Sequence, residues 1–585
     1  MVHNAAKFVT ATAGLTPMTD PRTLIFRHGF ELSGMKSALP AFALPLLLSA
    51  GLLSSALLAH ERADHDEAAP AGPPLILGVL DFPNSGAPAA QEAFERGVLL
   101  LHSFEFEDAR NAFIEAQAAD PGFVMAIWGE AMTLNHPLWA EQDRAGALEI
   151  LARLPEPANQ RASPREQMFL DAVFALYGYG EDPPADKPSR DRAYSAQMRR
   201  IFESYPDDLE VASFYALSLL GSVYERDFRT YMQAAAILEE VFAKQPRHPG
   251  AAHYLIHSYD DPVHAPLGLR AARVYATIAP AASHAQHMIS HIYTSLGLWD
   301  EVVEANRKAV QVSEETAKRH GRPIASRSKH AMHWLQYALL QQGLYSQAHE
   351  TMALMKADRA ALPNSHNTMH YVLFRGSYAA DQPTGPDLLP AVALEGLPLD
   401  AHAIDRFASG YRAIANGNAQ QASADVEALQ ALIAVTAVKT VEQGLHEDDQ
   451  ATSPDQYLLA TVMSRQLEAL LMYRAGDPEG AIERLSAAAE DENRRALEYG
   501  PPYVPKPSSE LLGEMLLEQG RPREAIAEFE KSLERNTRRS RSLLGLARAQ
   551  AAAGEPGAAA ATRALLASQW RGDPGELQAA DYPWR

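Results

Sequence analysis

The sequence predicts an all-α protein, an α-solenoid of helix-turn-helix repeats, and three observations carry that prediction. The chain has 585 residues, too many for one compact core and suited to several domains or a repeat array. From residue 91 onward its apolar residues recur with helical period. Small residues also recur at fixed steps along that stretch, the mark of helices that pack closely in a repeating way.

The N-terminus comes first in the order of elements. Residues 37–59, "SALPAFALPLLLSAGLLSSALLA", form an apolar run just after Met35 and Lys36 and end in small residues. This pattern reads as an export signal over 35–59, with 1–34 an over-long start before Met35. The alternative is a retained anchor, since 23 mostly apolar residues are enough to span a bilayer. Pro40, Pro45 and the polar "HERADHDEAAPAGPP" that follows favour cleavage and an exported, periplasmic protein. Membrane contact is expected only if the segment is retained. Residues 60–90 then read as a linker, with a short strand in "PPLILGVLDFP" (73–83).

The repeats begin in "GVLLLHSFEFEDARNAFIEAQAADP". Gly97 is followed by Ala109, then by Phe113, Ala116 and Pro121 at steps of four, three and five. This spacing resembles the tetratricopeptide repeat, whose period is about 34 residues. Weaker copies follow at Ala234, Leu238, Val241 and Pro246, at Gly343, Ala348, Met352 and Met355, and at Gly410, Ala422, Val426 and Leu429. Two more lie at Gly476, Ala481, Leu485 and Ala488, and at Gly513, Leu516, Gly520, Ala525 and Phe529. Proline- and glycine-rich breaks fall at 180–192 and 380–401. The second divides an N-terminal helical repeat domain (91–379) from a C-terminal one (402–570), with 571–585 as a tail.

Composition removes several kinds of function. Net charge is −21 with no basic stripe, so no nucleic-acid partner is expected. The absence of cysteine excludes disulfides, thiolate metal sites and cysteine nucleophiles. Neither a GxSxG elbow nor a phosphate-cradling or dinucleotide glycine motif is present.

The histidines are the main functional lead. Residues 253–370 hold 12 of the 21 in the chain, where an even spread would give about four. His253 and His257 in "HYLIH" are four apart, as are His287 and His291 in "HAQHMISH"; His284 precedes His287 by three. Residues three or four apart share a helix face, so such a pair can close on one metal ion at about 2.0–2.1 Å per bond. The two pairs together predict one four-nitrogen site, with His284 and His330 as further ligands. Asp260, Asp261 and Asp300 are placed to fix imidazole tautomers from behind. Imidazole-only ligation suits a divalent transition metal, whether zinc, copper, iron or nickel. Neither "HYLIH" nor "HMISH" has the glutamate that a zinc protease uses as base. His366/His370 and His349 read as packing residues, as do His102, Glu105 and His136; Glu510 and Glu514 read as a solvated pair on one helix face.

The segments 97–143 and 249–306 resemble a family of bacterial tetratricopeptide-repeat proteins, and the likeness runs from about residue 77 through most of the chain. It implies an α-solenoid that is often exported, and it supplies no catalytic residue. The family commonly shows HAxDY where this chain has "HAMHW" (330–334), so His333 replaces an acidic residue. Two functions are therefore expected as alternatives. One is an exported binding protein whose central repeats hold a transition metal, with or without an associated activity. The other is a metal-free scaffold that docks a protein or peptide segment on its concave surface.

Overall fold

The computed structural model describes residues 75–585 apart from 156–160, 181–183, 185, 225–226, 386–387, 444–452, 498, 579–581 and 583. The apolar run 37–59, and with it the export signal or anchor, lies outside the described residues. Among the described residues no helix is long and apolar enough to cross a membrane.

Residues Pro73–Arg585 form one compact unit. Its 23 described α-helices run from Pro88–His102 to Pro556–Gln569, and each packs on the next along most of the chain. The fold is an all-α solenoid of tetratricopeptide-like repeats. Two strands of two residues each, Asn135–His136 and Glu141–Gln142, pair antiparallel in one inter-helix loop.

The small-residue steps have a direct physical meaning. Phe113, fully buried, lies between Gly97 and Gly129 on the two flanking helices. A methyl group at Gly129 would stand 2.3 Å from Phe113 Cε1, so only hydrogen there lets the ring fit. Phe529 repeats the arrangement between Gly513 and Gly545, where the nearest ring atom would be 2.2 Å from a methyl on Gly545. One packing solution thus recurs near both ends of the array, as expected when each helix pair must bury its apolar face on the next.

The strand expected in 73–83 is not formed. The described part of this stretch has no regular structure. Val79 N–H donates to the Arg247 carbonyl (3.0 Å), and Ala281 N–H donates to the Ile76 carbonyl (3.4 Å). Its backbone bonds single groups in inter-helix loops rather than a neighbouring strand, while Leu77 and Phe82 are buried in the core.

Two hydrophobic clusters make up that core, one from Leu77 to Leu389 and the other from Val372 to Trp584. A buried ionic network ties them together. The Arg539 guanidinium donates to Asp381 (3.1 Å) and to Glu510 (2.8 Å). Lys506 Nζ lies 2.9 Å from Glu510 and 2.6 Å from Glu514, and the Trp584 indole N–H donates to Glu514 (2.9 Å). The expected solvated pair Glu510/Glu514 is therefore corrected: both carboxylates are buried and spent on cations of the chain itself.

Candidate metal centre

Three helices bring the central histidines together. The first, Pro249–Ser258, is buried along its whole length. Proline opens it, where the missing N–H costs nothing, and His248 Nδ1 accepts from Ala251 N–H (3.1 Å) as its cap. The second, Ser283–Ser295, carries His284, His287 and His291. The third, Lys329–Gln341, is capped by Ser328, which accepts from Ala331 N–H (3.2 Å), and sets His330 in its first turn.

The side chains collect in two groups of three. His253, His257 and His284 form one; His287, His291 and His330 form the other. Within each, one ring nitrogen per residue lies within 4.8 Å of the others. In the first group His253 Nε2 is 3.1 Å from both His257 Nε2 and His284 Nε2. In the second, His287 Nε2 and His291 Nε2 are 3.0 Å apart. Three imidazoles on one tetrahedral ion at about 2.0–2.1 Å per bond stand about 3.3–3.4 Å apart, so these spacings nearly match.

The single four-nitrogen site expected from the two i, i+4 pairs is replaced by this arrangement, in which each pair takes its own third imidazole. His284, three residues before His287 on the same helix, sets its Nε2 3.1 Å from His253 Nε2 on the neighbouring helix instead. The groups remain adjacent: ring centroids of His257 and His291 are 5.9 Å apart, and those of His284 and His287 are 6.1 Å apart.

Hydrogen bonds behind the rings set their tautomers. His253 Nδ1 donates to the His102 carbonyl (2.7 Å), and His291 Nδ1 donates to Asp260 Oδ2 (2.5 Å). His287 Nδ1 donates to Asn306 Oδ1 (2.7 Å); the Asn306 amide is itself fixed by donation to the Val302 carbonyl (2.9 Å). Each Nδ1 therefore carries a proton, and the tautomer so fixed is the one whose bare Nε2 lone pair turns inward. Burial, reinforced by neighbouring imidazoles, holds the pKa of His253, His284, His287 and His330 well below the usual histidine range. Bare nitrogens aimed at one another in this way are donors of the kind that can hold a cation.

The third group of this kind behaves differently. His102, Glu210 and His248 are wholly buried, but their hydrogen bonds close without a cation. His102 Nε2 and His248 Nε2 donate to the two Glu210 oxygens (2.8 and 3.0 Å), and Tyr254 O–H donates to His102 Nδ1 (2.9 Å). Burial alone would raise the Glu210 pKa; the two histidines outweigh it and hold the carboxylate below its usual range. This network braces the His102 carbonyl that orients His253.

Both of these histidine groups border one cavity of about 710 Å³, lined by His284, His287 and His330 together with Trp139, Trp334 and Tyr499. Phe104 forms a wall, its ring centroid 4.4 Å from that of His253. It holds a left-handed backbone (φ 54°) at the end of helix Pro88–His102, where Phe104 and Glu105 N–H bond the Leu101 and Leu100 carbonyls. Glu105 also lines the cavity and accepts from His284 N–H (2.9 Å). Burial pushes its pKa up to about 7 against the lowering effect of that hydrogen bond.

Of the other residues singled out from sequence, Asp260 alone among the three aspartates reaches a clustered imidazole. Asp261 binds His264 (2.9 Å), and Asp300 binds Arg571 (2.7 Å) and Gln342 (2.5 Å). His333 Nε2 bonds Ser377 Oγ (2.9 Å), and burial pushes its pKa down to about 3. His136 stacks on Phe106, with 4.1 Å between centroids, at the cavity edge. His366 and His370 also line the cavity, with ring centroids 4.6 Å apart; His349 packs beside Tyr378. Asn306 and the His102 carbonyl had no sequence signal, because an acceptor behind a ring follows no spacing rule.

The fold and this site together define a helical-repeat protein with two adjoining tris-histidine groups under one cavity. No protein-family model and no curated protein matches the chain. Among solved structures it is similar to the human IFIT1 dimer with m7Gppp-AAAA, at 14% identity and a TM-score of 0.34, covering 84% of this chain and 91% of that one. It is similar also to the Cut9–Hcn1 hetero-tetramer of APC/C (14%, TM-score 0.32, 80% and 78% covered). A third is yeast Tom70 (12%, TM-score 0.26, 84% and 87% covered).

Proposed function

We propose that this chain is a transition-metal-binding helical-repeat protein that holds one ion on His253, His257 and His284 and a second on His287, His291 and His330. The contact between His287 and His291 carries this reading. Asn306 and Asp260 take the Nδ1 protons, so two lone pairs face each other across 3.0 Å. When both rings are neutral that contact is repulsive, and burial opposes placing the proton on His287. A shared metal ion turns the same geometry into two bonds.

A metal-free scaffold accounts for the His102–Glu210–His248 network, in which both Nε2 donors meet the Glu210 carboxylate, but gives no reason for two sets of three imidazoles whose ring nitrogens converge. We assign the docking of a protein or peptide segment a secondary place, alongside rather than instead of the metal. Export through residues 35–59 is part of the same proposal, supported by the apolar run and its small-residue end. Cell fractionation and the mass of the mature N-terminus test it.

The decisive measurement is elemental analysis of the purified protein. Two equivalents of transition metal per chain are expected, falling to one in His253→Ala/His257→Ala and to one in His287→Ala/His291→Ala. Sub-stoichiometric metal in the wild-type chain after loading, with no difference among the three proteins, overturns the reading.

A further inference from the structure

We propose that the two groups act as one dinuclear copper centre that takes up dioxygen from the cavity; this rests on the metal reading above. Their adjacency comes first. His284 and His287 sit one turn apart on a single helix yet serve different groups. Across the interface the His257 and His291 rings are 5.9 Å apart, centroid to centroid. Two ions held this way are neighbours that a small bridging ligand can join, as in other two-metal sites.

Access is shared as well. His284 from one group and His287 and His330 from the other line the same cavity of about 710 Å³. A molecule entering it meets both ions rather than one.

The donor chemistry selects the metal. The six side chains are all imidazoles, which bring no negative charge to a metal, whereas helical di-iron and di-manganese sites are built on glutamates that balance the ions' charge. Asp260, behind His291, is the carboxylate that bonds a ligand ring. Two divalent ions here would bury four positive charges, which is costly in a low-dielectric pocket. Two cuprous ions bury half as many and accept three ligands each, and imidazole is among the donors that suit copper.

The charge argument also selects dioxygen, a recognised partner of copper sites. Each cuprous ion gives one electron to O₂; the O–O bond falls from double to single, and the resulting peroxide dianion bridges two cupric ions. No proton moves and no bond to the protein breaks. Two monocations become two dications plus one dianion, so the buried net charge is the same before and after. Zinc offers no such electron, and an isolated copper ion offers only one.

The test uses the full chain. It is loaded anaerobically with cuprous ion, its copper is counted, oxygen is admitted, and cupric electron paramagnetic resonance and near-ultraviolet absorption are recorded. The expected result is two copper per chain, a new near-ultraviolet band, and a cupric signal below one tenth of the copper present, because bridged cupric ions couple. The His330→Ala chain, with one group incomplete, should show a cupric signal that accounts for its copper. If that variant does not fold, His284→Ala makes the same comparison from the other group. Two copper per chain with a full cupric signal overturns the bridged centre and leaves the metal reading intact, as does a loaded protein that takes up no oxygen. Failure to load copper at the first step overturns the copper centre, and the metal reading falls with it only if the chain also takes up no stoichiometric zinc.

Discussion

Asp260 Oδ2 lies 2.5 Å from His291 Nδ1, and the other oxygen of the same carboxylate accepts from Ser295 Oγ at 3.3 Å. The aspartate is thus held in place before it holds the imidazole. An anion behind a ligating ring raises its basicity and fixes its tautomer, and removing such a partner typically costs about 10–100-fold in metal affinity. Asp260→Asn should therefore weaken the second metal by about that factor and leave the first, on His253, His257 and His284, nearly unchanged. Competitive titration with a chromophoric chelator reads the two affinities separately; equal losses at both would place Asp260 in general folding instead.

Asn306 offers a sharper version of the same point. Its amide oxygen receives the His287 proton because its nitrogen is tied to the Val302 carbonyl. Asn306→Asp keeps an acceptor there and should preserve two metals per chain. Asn306→Leu leaves the imidazole N–H unpaired and frees the ring to turn, so metal content should fall towards one. Rescue by aspartate and not by leucine separates an orienting role from simple space filling.

The repeats were legible in the sequence because their cause is local and periodic: Phe113 needs Gly97 and Gly129, Phe529 needs Gly513 and Gly545, and such steps survive as spacing. The clustering of histidines was legible for the same reason, through i, i+4 pairs on helices. Their division into two groups was not, because it depends on how His284 and His330 meet residues of other helices. Asn306, the His102 carbonyl and the Phe104 wall act across the fold, where sequence spacing carries no information. The buried Glu510/Glu514 network was misread because a carboxylate pair on a helix face looks alike in water and beside Lys506 and Arg539.

Stability should depend on pH in one direction. Burial holds His333 near about 3, against 6.5 for the exposed side chain. Below 6.5 the unfolded chain gains a proton that the fold refuses, so this contribution is complete above 6.5 and is lost as pH falls from there towards 3. His253, His284, His287 and His330 are depressed in the same sense and steepen the loss in the metal-free protein. The urea midpoint of the chelator-treated chain should drop clearly between about pH 7.5 and about pH 5. A His333→Phe variant should show a shallower slope, and an unchanged slope would mean His333 titrates normally in the fold.

Gly129→Ala tests the packing rule of the repeats. The added methyl meets the Phe113 ring at 2.3 Å, and that ring is fully buried with nowhere to turn. Overpacking of this kind costs about 1–3 kcal/mol, to be read as a lower urea midpoint with an unchanged slope. Phe113→Leu in the Gly129→Ala background should recover part of the loss, since the smaller side chain makes room. A fully additive loss in the double variant would show that the close approach is not the cause.

The ionic joint at Arg539 gives the last expectation. Its guanidinium is buried and bonds Asp381 from the first core cluster's helix and Glu510 from the second's. Lys506 also neutralises Glu510, and the two cations together hold that carboxyl near about 2 against the raising effect of burial. Arg539→Ala removes one cation and leaves Asp381 and Glu510 under-compensated inside the protein, a change that costs about 3–5 kcal/mol when the partner stays buried. Part of that cost is avoidable: in Arg539→Met/Asp381→Leu the stranded Asp381 carboxylate is gone and Glu510 keeps Lys506. The double variant should therefore unfold at a higher urea concentration than Arg539→Ala. If Arg539→Ala is instead the more stable of the two, the unpaired Asp381 carboxylate is not the source of the cost.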